Sequence, residues 1–331
     1  MRKNSLTIIC AIFIILASIA LFGCGKTDNE AAAKNSYQVV DDSGTVVKFD
    51  KKPERVLTLS AGTDSIVLGL LPGRKLVAIN SLADDPASSN IVDIAKRIAH
   101  KLKMPTAEEI LSLKPDVVIA YSWNKSDMIE NLRDLGIKVV VIKGPASIDE
   151  IKDNITLVAA ALGEKSKGQE LISKMDNKMY EIKSKLDKMN IAHKKRIVLI
   201  SLMTSYGGTG CVFDDICKHA EVINGVSEAG LHNGQALTKE ILVKINPDLL
   251  IMPVYNDHNT FDINKHNKEF LDDPSLQTMT AIKNGKVFYP AEGYIYNCSQ
   301  DVVFGIQEVA YAAYGDDFKQ DPNQHLTVAA E

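Results

Sequence analysis

Residues 106–120 read TAEEILSLKPDVVIA, and residues 237–252 read LTKEILVKINPDLLIM. Thr106, Glu108, Pro115 and Asp116 match Thr238, Glu240, Pro247 and Asp248 at one offset (247 − 115 = 132; 240 − 108 = 132). In each copy a threonine able to cap a helix precedes a short apolar stretch, and Pro-Asp then opens an unbroken apolar run. Runs such as VVIA and LLIM suit strands buried on both faces of a parallel sheet. The phrase is therefore a helix-then-strand unit used twice, and it predicts a chain of two α/β halves.

The repetition extends upstream. Arg55-Val-Leu-Thr-Leu-Ser60 corresponds to Arg196-Ile-Val-Leu-Ile-Ser201 at an offset of 141 (196 − 55 = 141), so the route from strand to phrase is nine residues shorter in the second half. The expected strands are Arg55–Leu59, Lys75–Asn80, Asp116–Tyr121 and Val139–Ile142, then Arg196–Ser201, Asp248–Met252 and Lys286–Tyr289. Between the halves, Ser147 to Leu162 reads as a helix ending at Gly163. The stretch Gln169 to Asn190 follows without a Gly or Pro, and Leu171, Met175, Met179, Ile182, Leu186 and Met189 form one stripe at steps of 4, 4, 3, 4 and 3. A helix of roughly 25 residues starting near Glu164, about 35–40 Å long, should join the two lobes. The expected organisation is a signal peptide at 1–23, a lipidated Cys and tether at 24–36, a first lobe at 37–162, the linking helix at 163–192, a second lobe at 193–318 and a tail at 319–331.

Bulk properties narrow the function. The 331 residues are 45% hydrophobic and 24% charged, enough for two cores, and the formal charge of −4 supplies no basic field for nucleic acid. Arg2 and Lys3 precede an apolar stretch from Leu6 to Phe22, then Cys24 and a polar run. That order describes an export signal, and it resembles a bacterial lipobox in which Cys24 would carry the lipid. Cys211, Cys217 and Cys298 are an odd set for an exported chain; Cys211 and Cys217 could pair, but buried free thiols fit the spacing better.

Thr106 with Glu109 satisfies a capping box, which leaves Glu108 at the second helical position without an evident local role. Glu240 occupies the same position in the second copy. Two carboxylates at matching edges of two lobes would suit a partner with two basic sockets. Together with the lipobox, the two lobes and the single linking helix, these residues resemble the ABC-transporter substrate-binding proteins for ferric siderophores, haem and cobalamin, over roughly residues 37–316. Lys52-Pro53-Glu54-Arg55-Val56, Leu135-Gly136-Ile137-Lys138-Val139-Val140 and Ala281-Ile282-Lys283-Asn284-Gly285-Lys286-Val287 are further matching pieces. The resemblance implies two Rossmann-like lobes and an extracytoplasmic monomer anchored through Cys24. It also implies a permease dimer, served by a cytoplasmic ATPase, whose arginines meet Glu108 and Glu240.

Ligands of open α/β sheets lie beyond the carboxyl ends of the strands. The residues there include Ser60, Gly62, Tyr121, Trp123, Tyr206, Tyr255, Tyr294 and Tyr296, with Trp123 and Tyr296 foremost. An aromatic wall suits a large flat or amphipathic ligand. An iron complex, either a ferric siderophore or haem, ranks first, and cobalamin is the alternative. Tyr121, Tyr206, Tyr255 or His258 could serve haem as an axial ligand. A bare-metal site is disfavoured because His100 is the only histidine before the linking helix, so no cofactor or metal is expected. Gly207-Gly208-Thr209-Gly210 lacks the phosphate-loop spacing and its lysine, and no nucleophile elbow or HExxH motif is present, so catalysis is not expected.

Overall fold

The computed structural model describes residues 36–330; the expected leader, Cys24 and nearly all of the tether lie outside them. Two compact units divide the chain. In the smaller, which includes residues 48–52, Tyr37 stacks on Phe49 with ring centroids 5.1 Å apart. β1 (Tyr37–Val40) and β2 (Val46–Phe49) make a two-stranded sheet. The larger unit, Val39–Val47 with everything from Pro53 on, contains both lobes.

The first lobe is a parallel sheet of β3 (Val56–Thr58), β4 (Leu76–Asn80), β5 (Lys101–Leu102), β6 (Val117–Tyr121) and β7 (Val139–Ile142), in the order β5-β4-β3-β6-β7. The second is a parallel sheet of β8 (Arg196–Leu199), β9 (Ile223–Asn224), β10 (Leu249–Ile251) and β11 (Val287–Phe288), in the order β11-β10-β8-β9. With β3 set against β8, β6 against β10 and β7 against β11, the orders β4-β3-β6-β7 and β9-β8-β10-β11 are the same. The longer first half carries β5, an edge strand without a counterpart. Each sheet has its own core: Leu57, Val118, Ile110 and Leu132 in the first, Val198, Leu250, Leu242 and Leu276 in the second.

The duplicated phrase repeats in atomic detail. Each short helix, Ala107–Ser112 and Lys239–Ile245, is capped by its threonine, whose hydroxyl accepts the Glu109 amide at 3.2 Å or the Ile241 amide at 3.3 Å. Each copy then places a left-handed residue, Lys114 or Asn246 (both φ 48°), just before its proline, where right-handed helical backbone is sterically disfavoured. The aspartate that follows clasps the entry to the first strand of its lobe. Asp116 Oδ2 accepts the Glu54 and Arg55 amides at 2.8 and 3.0 Å, and Asp248 Oδ2 accepts the Arg196 amide at 2.8 Å. Pro-Asp thus fixes the register between the first strand and its central neighbour in both halves.

The linking helix runs from Lys165 to Lys188, 24 residues or about 36 Å. Leu171, Met175, Ile182 and Leu186 of its stripe are buried, whereas Met179 and Met189 are half-buried. It packs on the helices Ile148–Ala161, Ala61–Leu70 and Val302–Tyr314, so it touches structure on both sides of the link. Gly168 permits the closest approach: a Cβ there would stand 2.6 Å from Ala159 Cβ.

The segment 319–330, expected as a tail, returns to the first lobe. The Val328 amide donates to Gly69 O at 2.8 Å, and Lys174 of the linking helix donates to Thr327 O at 2.7 Å. Asp301, fully buried, receives the Leu326 amide at 2.8 Å, Asn90 Nδ2 at 2.9 Å and His325 Nδ1 at 2.7 Å. The linking helix is therefore not the sole tie between the lobes. Among the described residues no helix is long and apolar enough to cross a membrane.

Candidate functional site

Both sheets direct their carboxyl ends at the region where chemistry was expected. After β6 the chain turns at Ser122, and Trp123 lies back over Tyr121 with ring centroids 4.2 Å apart. Two glycines make that arrangement possible. A Cβ on Gly62 would come within 2.9 Å of the Tyr121 hydroxyl, and a Cβ on Gly144 within 2.4 Å of Trp123 Cε3. Tyr121 is wholly buried, and its hydroxyl donates to Cys298 O at 2.5 Å, across to the second half of the chain. Trp123 remains 55% exposed. A rigidly seated indole with more than half its surface in water is a platform awaiting an apolar face.

Gly144→Ala should therefore displace the indole without touching the hydrophobic core. Trp123 is the chain's only tryptophan, so the near-ultraviolet circular dichroism of its stack with Tyr121 should collapse while far-ultraviolet ellipticity holds. An unchanged near-ultraviolet spectrum would contradict the packing described.

From the other half, Tyr206 and Tyr296 pack with centroids 5.3 Å apart, and Tyr296 also bonds with Ser201. Burial pushes both phenols well above the usual range. Tyr255 and Tyr296 line a cavity of about 180 Å³ between the lobes, shared with Gly62, Asn90 and Glu292. A second cavity, of about 250 Å³, opens at the strand ends of the first lobe, between Thr58, Asn80, Met104, Asn124 and Lys125.

Two of the expected ligand residues, Tyr294 and Tyr121, are fully buried, and a third, Ser60, is engaged in a helix cap. Tyr294 is 0% exposed; its hydroxyl donates to the Asp321 and Gln324 carbonyls, and its ring packs on Phe304. The Glu292–Ile295 turn sends residue 294 inward and leaves residue 296 at the cavity. Ser60 caps the Ala61–Leu70 helix, with its Oγ 2.9 Å from Thr63 Oγ1, so its hydroxyl is held locally. Tyr121 supports Trp123 and presents no free surface. Gly62, Tyr255 and Tyr296 line the inter-lobe cavity, Tyr206 packs on Tyr296, and Trp123 lies on Tyr121 outside the lining of both cavities. Cys211, Cys217 and Cys298 are free thiols; burial pushes Cys298 up to about 12 and Cys217 well above its ordinary value, which leaves both as unreactive thiols.

Two carboxylates of the site were not foreseen. Glu292 lines the inter-lobe cavity and accepts the Val254 amide at 3.0 Å; burial raises its pKa to about 7 against the pull of the Val254 and Tyr255 amides. Asp64 sits beneath the first-lobe cavity, bonded to the Thr58 hydroxyl and, at 2.9 Å, to the Asn80 amide; burial likewise raises it to about 7. Both are lone acidic residues in ordinary helix-start sequence, and only the depth at which they end up distinguishes them. Among the described residues no group of three or more His, Cys, Asp or Glu side chains is gathered to hold a metal ion.

Glu108 and Glu240 are fully exposed, at the second position of their helices. Each has a local partner that the capping argument overlooked. The Glu108 carboxylate is held below its ordinary range by its own amide and the Thr106 hydroxyl, and Glu240 by the Thr238 hydroxyl and its own amide.

Residues 56–292 match the family model described as periplasmic binding protein. The chain belongs to that family. As a periplasmic binding protein it is the solute-binding component of an ABC transporter, and its family consists of binding proteins. An uncharacterized ABC transporter substrate-binding lipoprotein of Bacillus subtilis, YvrC, is 25% identical over 320 residues, 93% of this chain and 97% of its own. The Fe(3+)-citrate-binding protein YfmC of the same organism is 25% identical over 309 residues, 86% and 89% of the two chains. The solved periplasmic heme-binding protein RhuT from Roseiflexus sp. RS-1 superposes with a TM-score of 0.67 at 20% identity, covering 81% of this chain and 99% of that one, which establishes the shared two-lobe fold.

Proposed function

We propose that this periplasmic binding protein captures an iron complex, a ferric siderophore or haem, between its lobes and delivers it to a membrane permease. The observation that carries the reading is the exposed indole of Trp123, seated on Tyr121 by Gly62 and Gly144. Tyr296, Tyr206 and Tyr255 supply aromatic surface from the other lobe. An organic chelate has the flat or amphipathic surface that such walls bury, and a bare ion does not. Fe(3+)-citrate binding by a relative and haem binding by a structural neighbour are in keeping with an iron chelate, while vitamin B12-binding and molybdate-binding relatives make those two ligands the competitors to test. In this reading Cys24 carries the lipid that tethers a monomer outside the cell membrane. Glu108 and Glu240 mark the face that meets the permease.

The test titrates the full-length protein in detergent with ferric citrate, a ferric hydroxamate, haemin, cyanocobalamin and molybdate, following Trp123 fluorescence and heat. Saturable quenching by an iron chelate or haemin is expected. The Trp123→Ala, Tyr296→Ala pair should weaken that binding about ten- to hundredfold, as loss of two aromatic anchors does. Binding of cyanocobalamin alone, or of molybdate alone, overturns the iron assignment. Unchanged affinity in the double variant removes the aromatic wall.

A further inference from the structure

The segment that begins at the cavity residue Tyr255 also ties one lobe to the other. After β10 the chain from Tyr255 to Thr260 passes through three successive left-handed residues, Asp257 (φ 46°), His258 (φ 55°) and Asn259 (φ 66°). That region is unfavourable for residues bearing a Cβ, and three in a row persist only where surrounding contacts fix them. Some of those contacts are internal. The Asn259 amide donates to Asn256 Oδ1 at 3.2 Å, the Phe261 amide to Asn256 O at 3.0 Å, and the Thr260 hydroxyl to Asp257 O at 2.7 Å. The loop is thus closed on itself like a hook.

Its two charged prongs point the other way. Asp257 pairs with Lys103 at 2.8 Å, and His258 Nε2 lies 3.0 Å from Asp84 Oδ1. The His258 amide also reaches Asp85 Oδ2 at 3.4 Å. Lys103, Asp84 and Asp85 all belong to the first lobe, more than 150 residues earlier, and Asp84 follows Leu82 and Ala83, which line the cavity opposite Tyr255. The hook therefore spans from one wall of the cavity to the other.

We propose that residues 255–260 form a clasp that holds the second lobe against the first across the cavity, and that its grip depends on the charge of His258. The groups facing His258 are Asp84 and Asp85 from the first lobe and Asp257 beside it. Lys101 lies 3.9 Å from Asp84, Lys103 faces Asp257, and the Asp85 charge acts on the Glu292 carboxyl. Three carboxylates around one imidazole favour its charged form, and its pKa is raised, first by the bond to Asp84. The clasp is then tight when His258 is charged and loosens as pH rises through that raised pKa. The Lys103–Asp257 pair keeps its charges throughout this window.

The test needs no ligand, so its failure is separate from any failure of the iron-chelate reading. Hydrogen exchange is followed by mass spectrometry on the full-length protein in detergent, in peptides covering 81–90 and 254–262, at pH 6 and 8.5 with intrinsic rates corrected. In the wild type both segments should exchange about two- to fivefold faster at pH 8.5, the range that loss of one exposed charge pair can supply. His258→Gln should abolish that pH dependence, and adding Asp257→Asn should speed exchange in both segments at both pH values. If the loop loosens while 81–90 is unaffected, the segment is only a local turn and the proposal is overturned. The same holds if neither segment responds in the wild type, whose fold is not in question.

Discussion

Asp301→Ala is expected to cost the protein about 3–5 kcal/mol, the loss typical when one partner of a buried ion pair is removed. The carboxylate is wholly buried, and three donors converge on it: Asn90 Nδ2, His325 Nδ1 and the Leu326 amide. They come from two remote parts of the chain: the first lobe, and the adjacent residues 325 and 326 of the returning C-terminal segment. Their common acceptor sits at the entry to the Val302–Tyr314 helix, the last of the second lobe. Without it the three donors are stranded away from water, and the hold of residues 324–328 on Gly69 and Leu68 weakens with them. Denaturant unfolding should show the lowered midpoint, and hydrogen exchange should show residues 322–330 opening first.

The pH dependence has a definite sign. Burial pulls His325 down, but the charge and hydrogen bond of Asp301, with help from Leu68 O, outweigh it and leave the pKa raised. A histidine whose folded pKa exceeds its unfolded value, about 6.5, contributes stability that is fully present below pH 6.5. That contribution is lost as pH rises through the folded pKa. Stability should therefore decline on the alkaline side of pH 6.5, with a limiting slope of about 1.4 kcal/mol per pH unit for one proton. His325→Gln should flatten this limb. A wild-type limb of the same steepness in that variant would move the effect to another group.

That junction also marks where the sequence stops being readable. QDPNQHLTVAA has no periodicity and few apolar residues, so nothing local says that it crosses back to the first lobe; the reason lies in Asp301 and Gly69, remote in the chain. The central strands were legible because a strand covered on both faces must be apolar throughout, as in Val117–Ala120, all 0% exposed. β5 and β9, two residues each at or near sheet edges, are too short to carry a pattern. Tyr294 and Tyr296 look alike in sequence, and a single helical turn sends one to the core and the other to the cavity. The aspartates of the two Pro-Asp pairs proved to be structural clasps, so the duplication encodes a fold device as well as a matched pair of surface charges.

That matched pair yields the other large effect. Reversing both charges, Glu108→Arg with Glu240→Arg, should abolish uptake of the ligand by cells, by more than about a hundredfold, while affinity of the purified protein changes less than about twofold. Both carboxylates lie outside the cavities, so neither can act on the ligand directly. Each is turned back onto its own helix start and kept below the usual carboxylate range, Glu108 by its own amide and Thr106, Glu240 by Thr238 and its own amide. An exposed carboxylate at a helix start can accept a charge-assisted bond from a partner arginine. If the permease docks at these carboxylates as proposed, it meets them in equivalent frames, because each helix is bound to its sheet by the same Pro-Asp clasp. Single reversals should each leave measurable uptake, since one anchor remains, and the paired Gln variant should fall between the wild type and the double reversal. Loss of ligand affinity by the same factor as uptake would place these residues in the binding site and end the docking assignment. Equal uptake by the double reversal and the wild type would end it as well.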